Sequence, residues 1–207
     1  MVGQNASEKQ RAFDILKNLV VNNKGMFTSE SAQKYNIPRR FTKAFIDEYA
    51  MDEDFPGVYT MKDTFSDEMF ALQYRYSKGV YSHESALMLW GLSDSIHMEY
   101  TMTFPQGYNN PNLLKWGIKP KFTMKEKYEI GKTTTKTMFG NEVVVYNKER
   151  TLCDIFQTRH NALKSVQIEA IKTYASLKDK DTNRLMRYAK EFRVEKTMRT
   201  YLEVLLY

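Results

Sequence analysis

The segment TSESAQKYNIPRRFTKAFIDEY, Thr28 to Tyr49, decides how the first part of this chain is read. Thr28 is a good N-cap, and a short helix from about Ser29 to Tyr35 follows it. Asn36-Ile37-Pro38 breaks that helix, because Pro38 pushes Ile37 out of the helical region yet is tolerated in the first turn of a new one. The next helix runs from about Pro38 to Tyr49, with Phe41, Ala44, Phe45 and Tyr49 inward. Upstream, Ser7 and Gln10 have capping-box spacing. Ala12, Phe13, Leu16, Leu19 and Val20 then recur at helical intervals until Asn22-Asn23-Lys24-Gly25. Downstream, Asp52 to Gly57 reads as a turn and Val58 to Met61 as a short strand.

Three helices, a tight turn between the second and third, and a hairpin-like element are the order of a winged helix-turn-helix over residues 1–62. Residues 1–62 hold 9 Lys/Arg and 8 Asp/Glu. Between 31 and 46, however, stand Lys34, Arg39, Arg40 and Lys43 with no acid, while Asp47, Glu48 and Asp52 to Asp54 follow. Lys34, Arg39, Arg40, Thr42 and Lys43 are therefore the expected DNA-contacting set, and the helix N-terminus favours a phosphate as well.

Residues 63–76 read as a linking helix, and residues 77–207 as a second, mixed α/β domain with a small sheet and a helical end. The whole is thus α+β. Ser82 caps a helix carrying Ala86, Leu89 and Trp90 that ends at Gly91. Tyr100 to Phe104 alternates as a strand, Gln106 to Pro120 is loop, and Lys121 to Met124, Tyr128 to Thr135 and Glu142 to Tyr146 are strand candidates. From Glu149 the apolar stripes are helical to the end.

Length, 207 residues, suits two small domains, and 28 aromatics supply real cores. A net charge of +6 pushes mildly toward a polyanionic partner. One cysteine, no signal-like N-terminus and no long apolar run predict a soluble cytoplasmic protein with no membrane partner. No catalytic, metal or cofactor constellation is legible. Ser82, His83 and Glu84 are neighbours in one helical turn and cannot form a triad. His83, His97 and His160 lack ligand spacing, and no phosphate-cradling glycine loop occurs. Cys153 reads as a buried small hydrophobe, and Arg150 with Asp154 as an intrahelical pair. Two basic runs remain. Residues 115–136 hold seven lysines against two glutamates, and residues 178–199 hold eight Lys/Arg against four acids. Arg184, Arg187 and Arg193 are the expected secondary basic surface; a solvated face is the alternative.

The blocks Gly57-Val58-Tyr59, Tyr74-Arg75-Tyr76, Gly79 to Leu87 with Gly91-Leu92-Ser93-Asp94, Thr103 to Tyr108, and Glu149-Arg150-Thr151-Leu152-Cys153-Asp154 resemble the AbiEi family of abortive-infection antitoxins. So do Val145-Tyr146, Tyr188-Ala189-Lys190 and Tyr201-Leu202, so the resemblance spans nearly the whole chain. It implies the antitoxin of a type IV toxin–antitoxin operon for phage defence. Such a protein represses its own promoter through inverted repeats and counters a nucleotidyltransferase-like toxin without a stable complex. The rival reading is an enzyme acting on nucleic acid or nucleotide, targeted by the winged helix. It requires Arg75, His83, Glu84, Arg150 and Asp154 to converge in one pocket.

Overall fold

The computed structural model describes residues 2–94, 98–158 and 162–206, and it is α+β. The chain forms two compact units, residues 1–76 with 136–142, and residues 77–135 with 143–207. This division differs from the boundaries read in the sequence. Residues 63–76 go with the first unit rather than linking the two, and a seven-residue piece from the middle of the chain joins them.

The first unit runs α1 (Val2–Asn22), β1 (Met26–Thr28), α2 (Ser29–Lys34), α3 (Arg39–Glu48), β2 (Asp52–Phe55), β3 (Val58–Thr60) and α4 (Glu68–Arg75). The first helix starts before the expected cap, so Ser7 lies inside it. The expected turn at Asp52 to Gly57 is partly strand β2. Here β2 and β3 form a hairpin around Pro56-Gly57, with a register irregularity between Glu53 and Phe55. β3 lies between β1 and β2, antiparallel to both. Thr28 caps α2 in a reciprocal box with Ser31.

Between α2 and α3 the turn is tight because Asn36 adopts φ 54°, which its short polar side chain tolerates. Ile37 N–H then reaches the Ala32 carbonyl and Asn36 N–H the Gln33 carbonyl, closing α2 as a Schellman motif. Phe13, Phe27, Phe45, Tyr49 and Tyr59 make an aromatic core. Phe45 stands edge-on to Phe13 at 5.2 Å and to Phe27 at 5.9 Å, which locks the inner face of α3 onto α1 and β1.

Residues 63–67 are not helical, so the helix expected over 63–76 shrinks to α4. Buried Asp67 caps it by accepting from Phe70 N–H. The same carboxylate accepts from Thr137 Oγ1 and, at 2.9 Å, from Asn141 Nδ2. That contact holds residues 136–142 in the first unit.

The second unit contains β4 (Val80–Tyr81), α5 (His83–Leu89), β5 (Tyr100–Pro105), β6 (Ile118–Thr123), α6 (Lys125–Tyr128), β7 (Lys132–Lys136, its last residue in the first unit) and β8 (Glu142–Tyr146, its first residue likewise). The sheet order is β6-β5-β4-β8-β7, with β5 antiparallel to β4 and parallel to β6, and β4 parallel to β8. The edge strand β6 starts earlier than the sequence suggested, at Ile118, and carries Pro120 where an edge can tolerate it. The strand expected over Tyr128 to Thr135 splits into helix α6 and strand β7. Helices α7 (Lys148–Phe156), α8 (Lys164–Ser176), α9 (Thr182–Glu191) and α10 (Glu195–Leu206) follow. They bury Leu152, Ile155, Ile171, Leu185, Ala189 and Met198 with Leu87 and Leu92 of the α5 region.

Candidate nucleic-acid interface

Helix α3 presents two different sides. Its inner side, Phe41 and Phe45, is buried, while Arg39, Arg40 and Lys43 are exposed and Thr42 is half-buried. Arg39, Thr42, Lys43 and Ile46 share one stripe at i, i+3, i+4, i+7. With Ser29 and Gln33 of α2 and Tyr59 of β3 they line a groove of about 360 Å³. Arg40 points to the other flank, where its guanidinium lies 3.8 Å from Glu8 of α1 and 4.6 Å from the Phe41 ring centroid.

Sequence spacing grouped Arg39 with Arg40; the structure puts them on opposite flanks, because successive helical residues turn about 100°. Lys34 lies on α2 and pairs with Glu30 at 3.2 Å, so it stands outside the α3 face. No side chain caps α3 at Pro38. Beyond this face the charge reverses. Asp52, Glu53 and Asp54 of β2 are exposed, and Glu53 Oε1 accepts from Gly57 N–H in the hairpin turn.

In the second unit the distinctive charged block on α7 is turned inward. Arg150 is among the largest fully buried side chains. Its Nε lies 2.9 and 3.0 Å from the two Asp154 carboxylate oxygens, and Nη1 donates to the carbonyls of Lys127 and Ile130. The guanidinium is sandwiched between the rings of Tyr146 and Phe192, at 4.2 and 3.9 Å. Gln157 Nε2 adds a third contact to Asp154. Buried Glu149 accepts from Tyr174 OH, and burial together with that carboxylate pushes the phenol well above its usual range. Cys153 sits fully buried beside them; desolvation, then Asp154, pushes its thiol up, so it is no thiolate nucleophile at neutral pH.

The residues that an enzyme would need to bring together have separate partners. Arg150 and Asp154 hold each other, Glu84 accepts from Thr101 Oγ1, and Arg75 lies in the first unit against the Tyr76 ring. His83 Nδ1 is 3.0 Å from Ser82 Oγ, both side chains buried, and Ser82 Oγ also accepts from Thr103 Oγ1. The Ser93-Asp94 block is held by Glu169, which accepts from Ser93 Oγ and Asp94 N–H; those bonds lower its carboxyl pKa. His97 and His160 lie outside the described residues. Among the described residues no group of three metal-ligating side chains occurs, and no helix is long and apolar enough to cross a membrane.

The three arginines expected as a secondary basic surface have unequal surroundings. Arg184 pairs with Asp181 at 3.3 Å and lies 3.9 Å from Glu149, whereas Arg187 and Arg193 are exposed. Arg193 follows α9 with φ 60°. Val194 N–H reaches the Ala189 carbonyl and Arg193 N–H the Lys190 carbonyl, so Arg193 occupies the left-handed position of a Schellman motif. The same motif ends α5 at Gly91, α2 at Asn36 and α3 at Ala50. An arginine there costs about 1–2 kcal/mol of backbone strain that glycine avoids.

Arg193 lines a cleft of about 660 Å³ that sequence reasoning did not find. The cleft is built from the ends of β5 and β6, the start of α6 and the C-terminal ends of α7 and α9. Its walls include Gln106, Phe122, Lys127, Gln157, Phe192 and Thr197, and among the described residues no carboxylate lines it. Only the two basic runs, 115–136 and 178–199, hinted at it, and residues from both line its walls.

No protein-family model matches the sequence, and no curated protein matches it. Among solved structures the chain is similar to the RV2827C protein from Mycobacterium tuberculosis, with a TM-score of 0.54 over 87% of this chain and 71% of that chain. At 12% sequence identity this likeness establishes a shared α+β fold.

Proposed function

We propose that the N-terminal unit is a winged helix-turn-helix that reads promoter DNA with α3, and that the chain is a cytoplasmic antitoxin repressing its own toxin–antitoxin operon. The observation that carries the DNA reading is the outer face of α3. Arg39 and Lys43 are exposed, and neither forms an ion pair among the described residues. The aromatic core fixes the helix beneath them. The order helix, strand, helix, helix, strand, strand, with a β1-β3-β2 sheet, supports the winged topology.

An acidic β2 repels phosphate, so in this reading the hairpin stays off the backbone and α3 with its N-terminal turn makes the contacts. The antitoxin role, toward a nucleotidyltransferase-like toxin and without a stable complex, rests on the resemblance of the central blocks. The deep burial of Arg150 and Asp154 in mutual pairing favours a structural over a catalytic role for them.

The test is a gel-shift titration of full-length protein on its own promoter at fixed salt. Arg39→Ala and Lys43→Ala should each weaken specific binding by about 1–3 kcal/mol while leaving the circular dichroism spectrum unchanged. Wild-type affinity in both folded variants overturns the assignment.

A further inference from the structure

We propose that the cleft of the second unit binds an unstacked nucleotide, its base laid on Phe122 and its phosphate held by Arg193. Phe122 is the penultimate residue of edge strand β6 and is 48% exposed, an aromatic face open at the cleft wall. Base stacking on such a ring tolerates any base. Arg193 supplies the cation, since Lys127 at the rim is tied to Glu191 through both its carboxylate, at 3.4 Å, and its carbonyl, at 2.8 Å.

Gln157 is the polar group of the floor. Its Nε2 donates to Asp154, and Arg150 holds the same carboxylate, so the amide is oriented before any ligand arrives. What remains of that amide edge, with Gln106 and Thr197, can meet the polar edge of a base. Walls that carry no carboxylate among the described residues suit a phosphodiester or phosphate. The open ring of Phe122 favours a nucleotide over an acidic peptide, which needs no aromatic platform.

The Schellman turn that ends α9 fixes the backbone of Arg193, so its exposed guanidinium is carried on a defined turn at the cleft wall.

This inference does not rest on promoter binding, and the experiment keeps the two apart. Full-length protein carrying Arg39→Ala and Lys43→Ala, which weakens the basic face of α3, is titrated into a short fluorescein-labelled oligouridylate and followed by polarisation. It should bind, and adding Phe122→Ala or Arg193→Gly should weaken binding about fivefold or more. Arg193→Gly should at the same time keep or raise the melting temperature. Competition by UMP at matching nucleotide concentration identifies a mononucleotide site; competition by unlabelled oligouridylate alone identifies a strand. Equal binding by the parent and both cleft variants overturns the proposal, as does capture of a labelled oligoglutamate peptide without the RNA. Neither result touches the promoter titration, which reads α3 alone.

Discussion

Helices α3 and α7 have nearly the same length and the same kind of residues, and they use charge in opposite ways. On α3 the arginines face water, the buried side is wholly aromatic, and electrostatics adds little to folding. On α7 a guanidinium and two carboxylates lie in the core with hydrogen bonds to almost every polar atom. A surface charge is idle until a partner arrives. A buried one is committed, because removing either member leaves the other desolvated without its counter-charge. The contrast separates residues that answer for binding from residues that answer for stability.

The sharpest way to break that contrast is to remove Asp154. Asp154→Ala strands the Arg150 guanidinium and should cost about 3–5 kcal/mol in chemical denaturation of the full chain. Arg39→Ala on α3 should stay within about 0.5 kcal/mol. Replacing both partners, Arg150→Met with Asp154→Leu, should recover most of the loss, since neither member of the pair is then left buried without its counter-charge. A loss below about 1 kcal/mol for Asp154→Ala would mean water reaches the pair, and α7 would then resemble α3.

Much of the first unit was legible because its signals are local. Thr28, the Asn36-Ile37-Pro38 break and the Phe41/Phe45 spacing each act within a few residues. Strand β2 was missed because Asp52-Glu53-Asp54 has no apolar alternation; its partner β3 imposes the extended form on an edge strand. The pairing of Arg150 with Asp154 was visible from i, i+4 spacing, but its burial was not. That depends on the carbonyls of Lys127 and Ile130 and the Phe192 ring, all more than 18 residues away. The cleft was hidden for the same reason, since its walls come from four stretches of chain.

A middle-sized effect belongs to the Asp67 contact within the first unit. Its carboxylate caps α4 and takes hydrogen bonds from Thr137 and Asn141, so Asp67→Ala loses a cap and leaves two buried donors unmet. The expected cost is about 1–3 kcal/mol, read by chemical denaturation. Asn141→Ala should cost less, because the α4 cap survives. A fragment ending at Tyr76 lacks residues 136–142 altogether. It should therefore unfold at lower denaturant than the same unit in the whole chain, followed by the fluorescence of its tyrosines. A fragment equally stable would show that the seven-residue piece contributes nothing to the unit it joins.

The smallest effect sharpens the α3 side of the comparison. Arg40 and Glu8 form an ion pair at 3.8 Å with both side chains 63% exposed, a geometry that contributes between zero and about 1 kcal/mol. Glu8→Gln should therefore barely move the unfolding midpoint. On promoter DNA it should act in the favourable direction, because a carboxylate beside the basic helix both repels phosphate and competes for Arg40. We expect affinity to rise by a few-fold at low salt and the difference to fade as salt screens the pair, whose charges lie near the surface. Parallel gel-shift titrations at low and near-physiological ionic strength read both effects. An unchanged affinity at low salt would place Arg40 and its flank away from the DNA, leaving the groove-side stripe of Arg39, Thr42 and Lys43 as the contacting face. A loss of affinity would mean that Glu8 positions Arg40 for its contact, so the ion pair would belong to the binding surface.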